Sequence, residues 1–75
     1  MLDTQAITKL INRDPEITGG TPVFRGTRVP VKTLFDWLED GETLDYFLDN
    51  FPSVSREQTV TLLDLGKDML LAEVK

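Results

Sequence analysis

The sequence predicts a mainly α fold in which a short extended N-terminal arm precedes three helices with the proportions of a helix-turn-helix unit. Two observations predict it. Apolar residues recur at helical spacing through most of residues 30–75, in runs that are separated by Gly41 and Pro52. The segment between residues 12 and 30, in contrast, is broken by three turn-forming steps that contain Pro or Gly.

The first 29 residues are expected to form one short helix and then the arm. Residues 4–11 carry apolar side chains at helical spacing, with Asp3 as the candidate N-cap. The later segments Pro22-Val23-Phe24 and Val29 are too short and too close to proline to be central strands. They predict a small edge ribbon or hairpin-like arm.

The first two helices of the tri-helical unit have clear boundaries. One is predicted to begin at Pro30, whose fixed φ suits a first helical turn, and to end at Gly41. The next takes Thr43 as its N-cap and ends at Pro52. Both repeat an apolar pattern at i, i+3, i+4 and i+7, formed by Val31, Leu34, Phe35 and Leu38 in one and by Leu44, Phe47, Leu48 and Phe51 in the other.

The third helix is predicted to run from Arg56 nearly to Lys75 and takes the place of a recognition helix. Ser55 followed three residues later by Gln58 forms a capping box at its start. Its apolar residues form a first stripe, Val60, Leu63, Leu70 and Val74, and on nearly the opposite side a second stripe, Leu62, Leu65, Met69 and Ala72. A surface helix with one buried face does not need both stripes. We therefore expect another chain or the N-terminal segment to cover the second stripe.

Length and composition exclude several classes of function. A chain of 75 residues is one small domain, spanning residues 1–75, and a domain of this size gains stability from pairing with a partner. The chain has no cysteine and no histidine, so thiol nucleophiles, thiolate metal sites and the commonest general base are missing. No apolar run reaches the length of about 20 residues that a membrane span requires, and no signal peptide is evident. We expect a cytoplasmic protein that is not an enzyme and uses no cofactor or metal.

The charge is divided unevenly along the chain. The net charge is −5, which opposes non-specific attraction to nucleic acid or to anionic lipid. Residues 1–32 hold five basic and three acidic side chains, whereas residues 33–75 hold three basic and ten acidic ones. A surface that meets an anion is therefore expected to include the first part.

Two segments of the first part carry a resemblance to a known family. Arg13-Asp14-Pro15-Glu16-Ile17 and the run Gly19-Gly20-Thr21-Pro22-Val23-Phe24-Arg25-Gly26-Thr27-Arg28-Val29-Pro30-Val31 resemble the DUF433 family of small bacterial and archaeal proteins. The family's later pattern is similar to the helix that ends at Gly41, the short helix, the Phe51-Pro52 step and the long helix after Ser55. The resemblance covers about residues 10–70.

The resemblance implies a function that composition and spacing do not. It implies a helix-turn-helix domain of the homeodomain-like class, with residues 30–75 as its tri-helical unit, that acts as an antitoxin against a PIN-like ribonuclease toxin. We expect a homodimer that neutralises such a toxin by occupying its substrate groove, with operator DNA as a second candidate ligand. The alternative is a protein-interaction or adaptor module that keeps the helix-turn-helix shape without binding DNA, and the acidic balance favours this alternative.

Candidate site residues fall into two groups. Arg25 and Arg28 flank a turn, and their guanidinium groups suit bidentate contact with phosphate or with the acidic metal ligands of a nuclease; the alternative is that they pair within the domain. Trp37, Leu65 and Met69 are the other candidates for partner binding, with Trp37 equally explained as an edge of the core. Candidate DNA contacts lie at the start of the third helix: Ser53, Ser55, Arg56, Gln58 and Thr59.

Overall fold

The computed structural model describes residues 4–74 and confirms the mainly α class. The elements in chain order are α1 (Thr4–Leu10), β1 (Ile11–Asn12), a 3-10 turn (Thr18–Gly20), β2 (Val23–Phe24), α2 (Val31–Glu39), α3 (Leu44–Asn50) and α4 (Arg56–Glu73). The three helices after the arm have the predicted order, lengths and short connections. Asp3, the candidate cap of α1, lies outside the described residues.

The boundaries of these three helices follow from the residues that predicted them. Pro30 stands at the N-cap of α2 with φ −62°, and Gly41 beyond its C-terminus has φ +91°, a left-handed conformation that favours glycine. At α3 the Thr43 Oγ1 accepts a hydrogen bond of 3.1 Å from the Tyr46 N–H. At α4 the Ser55–Gln58 capping box is complete in both directions.

The N-terminal region differs from the prediction at Ile11, which belongs to a strand rather than to the first helix. β1 and β2 pair in antiparallel register, with Ile11 opposite Phe24 and Asn12 opposite Val23. The helix stops one residue earlier because the Arg25 N–H donates a 2.9 Å hydrogen bond to the Leu10 carbonyl. Pairing with a distant segment thus overrides the local helical pattern.

The predicted arm is part of the domain body. Val23 and Phe24 are 0% exposed. The core cluster draws on α1, β2, all three later helices and the α3–α4 turn, and consists of Leu10, Phe24, Val31, Leu34, Phe47, Val54 and Leu62. The turn that carries the two arginines therefore follows directly after a buried segment.

The long helix α4 has two unlike halves. In the half from Arg56 to Gly66, the side chains of Thr59 and Leu62 are buried and that of Leu65 packs against the core. In the half from Lys67 to Val74 every residue is exposed. The expectation that the N-terminal segment or another chain covers the second stripe is confirmed in part. Helix α1 contacts α4, and Leu62 and Leu65 lie on a core that includes Leu10 and Phe24, whereas Met69 and Ala72 of that stripe are exposed.

Candidate functional site

The turn between β2 and Pro30 places the two candidate arginines, and its shape is set by local hydrogen bonds. Gly26 has φ +80°, which a residue with a side chain rarely adopts. The Thr27 Oγ1 donates to the Phe24 carbonyl at 2.8 Å and accepts from the Val29 N–H at 3.0 Å. The turn therefore presents Arg25 and Arg28 in fixed, different directions.

Arg25 is used inside the domain. Its Nε donates to the Thr8 carbonyl at 2.8 Å, and one terminal nitrogen donates to the Ile11 carbonyl at 3.2 Å. Carbonyl groups at the end of a helix lack intrahelical partners and favour a nearby cation. Arg25 thus caps α1, which agrees with the alternative of pairing within the domain, although its partners are backbone carbonyls and not carboxylates.

Arg28, in contrast, makes no hydrogen bond or ion pair with any of residues 4–74. Its side chain is exposed and lines an open cleft of about 510 Å³. The other lining residues come from three separate segments and are Asn12, Ile17, Gly26, Thr27 and Ser53. The structure therefore brings together Arg28 and Ser53, which the sequence assigned to different functions.

The predicted DNA contacts at the start of α4 are largely occupied by bonds within the domain. The Gln58 Oε1 accepts from the Ser55 N–H at 3.0 Å, and its Nε2 donates to the Arg25 carbonyl at 3.0 Å. Thr59 is 0% exposed, and its Oγ1 donates to the Arg56 carbonyl at 2.7 Å. Thr59 is therefore removed from the set of DNA contacts, because a buried side chain cannot reach a base or a phosphate.

Arg56 remains on the surface at the start of α4, where it forms an ion pair with Asp45 of α3. The two side chains are 60% and 75% exposed, so solvent screens the pair and an incoming anion could compete for Arg56. Ser53 is also exposed, in the turn before α4. These two residues are the predicted DNA contacts that stay available.

The surface around them is acidic. Six exposed carboxylates lie on α3 and α4, namely Asp45, Asp49, Glu57, Asp64, Asp68 and Glu73. Only Arg56 and Lys67 oppose them on the same two helices. A hydrogen bond from Lys67 to Asp64, at 3.0 Å, raises the pKa of Lys67. This surface repels phosphate groups.

Trp37 belongs to an aromatic cluster between α2 and α3. Its ring centroid lies 5.7 Å from that of Tyr46, 5.8 Å from that of Phe47 and 5.1 Å from that of Phe51. These distances are typical of favourable aromatic contacts. The half-buried indole therefore contributes to the edge of the core, and Tyr46, 51% exposed, is the more accessible ring.

Two other kinds of site would appear in residues 4–74 as a group of clustered carboxylates or as a long apolar helix. Among these residues no three Asp or Glu side chains are grouped closely enough to hold a metal ion. Within the same range no helix has both the length and the apolar character needed to cross a membrane.

Sequence reasoning missed Asn12 and Ile17 as parts of the cleft. No local pattern marks them, because they reach Arg28 only through the pairing of β1 with β2. The backbone role of Arg25 was also hidden, since a contact across 17 residues leaves no spacing signal. Predicting either the cleft or the backbone role of Arg25 would have required a correct assignment of Ile11 to a strand.

The comparisons with known proteins agree with the resemblance seen in the sequence. A family model described as "Protein of unknown function (DUF433)" matches residues 11–64. The uncharacterized protein y4eO of Sinorhizobium fredii is 38% identical over 56 residues, which are 75% of this chain and 25% of that protein, so the chain spans about a quarter of this relative. The crystal structure of a DUF433 member protein from Anabaena variabilis matches with a TM-score of 0.68 and 26% identity over 85% of this chain and 63% of that one. Since the family model matches well over half of its residues, the chain belongs to the DUF433 family.

Proposed function

We propose that this chain is an antitoxin-like domain that binds and blocks a ribonuclease of the PIN-like type. The observation that carries the proposal is the state of Arg28, an exposed guanidinium beside an open cleft that has no partner among the described residues. The nearby Arg25 already donates a hydrogen bond to the Thr8 carbonyl at the end of α1. Arg28 is thus the arginine that a partner can bind.

The chemistry of such a partner fits a guanidinium group. A metal-dependent nuclease holds its metal ions with carboxylates, and a planar guanidinium can form two parallel hydrogen bonds with one carboxylate. Arg28 inserted among those carboxylates would compete with the metal ion and with the RNA phosphate. The cleft beside it, with Asn12 and Ser53 on its wall, offers polar groups to the partner's rim.

The second candidate is an adaptor that binds a protein partner without binding DNA. The acidic surface of α3 and α4 and the internal bonds of Ser55, Gln58 and Thr59 favour it over an operator-binding regulator. Specific retardation of the gene's upstream DNA in a gel-shift assay at several salt concentrations would instead favour the regulator. Absence of retardation, with or without a protein partner, favours the adaptor.

The antitoxin proposal is tested by purifying the tagged chain from its native host and identifying the proteins that accompany it. We expect a metal-dependent ribonuclease whose activity falls when the chain is added. Arg28→Gln should weaken this complex about thirty-fold or more, because loss of one partner of a desolvated charge pair costs about 2 kcal/mol or more.

Lys32→Gln is the matched control, since it removes an equal charge from an exposed side chain that is paired with Asp36. It should leave the inhibition unchanged. Co-purification of proteins without ribonuclease activity, or equal effects of the two substitutions, would contradict the assigned role of Arg28 and the function built on it.

A further inference from the structure

The outward face of α4 carries a repeat that the domain itself does not use. Val60, Leu63, Lys67, Leu70 and Val74 follow one another at alternating steps of three and four residues, which is the a/d pattern of paired helices. The first stripe supplies four of these five positions. We call the five residues the seam.

The seam is open to solvent in the monomer. Val60 is 50% exposed, Leu70 72% and Val74 76%, and Leu71 beside them is 63% exposed. The buried Leu62 points into the core from a different face of the same helix, whereas the buried Thr59 lies one turn before Leu63, the seam residue that is half-buried. An apolar row of this length, about 21 Å from Val60 to Val74, is a surface that association would cover.

We propose that α4 pairs through the seam with α4 of a second copy of this chain, in antiparallel orientation. The charged residues of α4 indicate that the partner is a second copy and in which orientation it binds. A parallel pair would place Lys67 opposite Lys67 of the second copy in the middle of the apolar row, where like charges are costly. An antiparallel pair layers Lys67 against Leu70 of the second copy, so the two lysines are separated.

The same antiparallel register supplies a second carboxylate for Lys67, which in the monomer is paired with Asp64 at 3.0 Å. In this register Glu73 of the second copy lies opposite Gly66, the residue before Lys67. The Lys67 ammonium group can therefore reach the Glu73 carboxylate of the second copy. The two-fold symmetry forms this ion pair twice. Each copy therefore brings both the cation and the anion, which is the complementarity expected of an isologous interface.

Gly66 agrees with this arrangement. Glycine in a helix interior costs about 1 kcal/mol relative to alanine. Its helical backbone does not require glycine, and a Cβ at this position would meet no atom of the domain within 4 Å. The domain alone thus gives no steric reason for glycine. The proposed pair gives one, because Glu73 of the second copy packs against Gly66. The inference does not depend on the ribonuclease partner.

The first experiment measures the mass of the full chain by light scattering over a range of concentrations. We expect a reversible dimer with twice the 8.5 kDa mass of one chain. Leu70→Asp should raise its dissociation constant about a hundred-fold, since each dimer loses two buried leucines. Ala72→Asp adds the same charge to the same exposed helical turn, outside the seam, and should leave the dimer intact.

The second experiment tests the orientation with Lys67→Glu and Glu73→Lys. Each single variant should dimerise at least ten-fold more weakly, because it opposes two like charges at each pair. An equimolar mixture of the two variants should form a heterodimer as tight as the natural dimer, since both pairs regain opposite charges. Circular dichroism of each variant checks that its helices are retained.

A chain that stays monomeric at all concentrations would overturn the proposal, even if Leu70→Asp then prevented binding to another protein. So would a dimer that Ala72→Asp weakens as much as Leu70→Asp does. A dimer that loses stability in Leu70→Asp but shows no rescue in the mixture would refute the antiparallel register.

Discussion

The two halves of α4 differ in how far the domain uses their side chains. In the first half, Ser55 and Gln58 bond to each other, Gln58 also holds the Arg25 carbonyl, and Leu62 is buried. In the second half Leu70, Leu71 and Val74 are all more than 60% exposed. The half that a helix-turn-helix would offer to DNA is thus committed to the fold, and the half beyond the body is free for association.

The largest effect that should separate the halves comes from shortening a leucine in each. Leu62→Ala is expected to lower the free energy of unfolding by about 2–5 kcal/mol, because it leaves a cavity beside the core. Leu70→Ala should change it by less than about 0.5 kcal/mol, since this side chain is 72% exposed. Urea unfolding of the dilute monomer measures both. Similar losses for the two variants would mean that the halves are equally integrated in the domain.

A smaller effect is expected from the polar bridge at the start of α4. Gln58→Ala removes one side of the capping box and the hydrogen bond to the Arg25 carbonyl. We expect a loss of about 1–2 kcal/mol in unfolding free energy. Glu57→Gln, its neighbour, should cost only a few tenths of a kcal/mol, through the helix dipole. If chemical denaturation ranks the two variants in the opposite order, the hydrogen bonds of Gln58 do not stabilise the domain.

The smallest expected effect is that of Gly66→Ala, which should stabilise the monomer but weaken the dimer. Gly66→Ala should raise the unfolding free energy of the dilute monomer by up to about 1 kcal/mol, since the new Cβ meets no atom of the domain. The same methyl group should weaken the dimer, where Glu73 of the second copy needs the space. Thermal unfolding at low concentration and sedimentation at high concentration measure the two effects. Equal stabilisation in both conditions would place Gly66 outside the interface.

The elements that were predicted correctly are those with local causes. Pro30, Gly41, Thr43 and Ser55 each act on the backbone within four residues, so the limits of α2, α3 and the start of α4 could be inferred from neighbours in the sequence. Ile11 was misplaced because its partner Phe24 lies 13 residues away along the chain. The cleft could not be foreseen for the same reason.

The sequence by itself determined three things about this protein: the limits of α2, α3 and the start of α4, the acidic character of its second part, and its membership of a family. Only the tertiary structure decided which arginine is free, which part of the second stripe on α4 is buried, and that Thr59 faces inward. The physical reason is the distance along the sequence over which each interaction acts. Caps, turns and periodicity act between residues a few positions apart, whereas burial and the choice of hydrogen-bond partner depend on which distant segments the folded chain brings into contact.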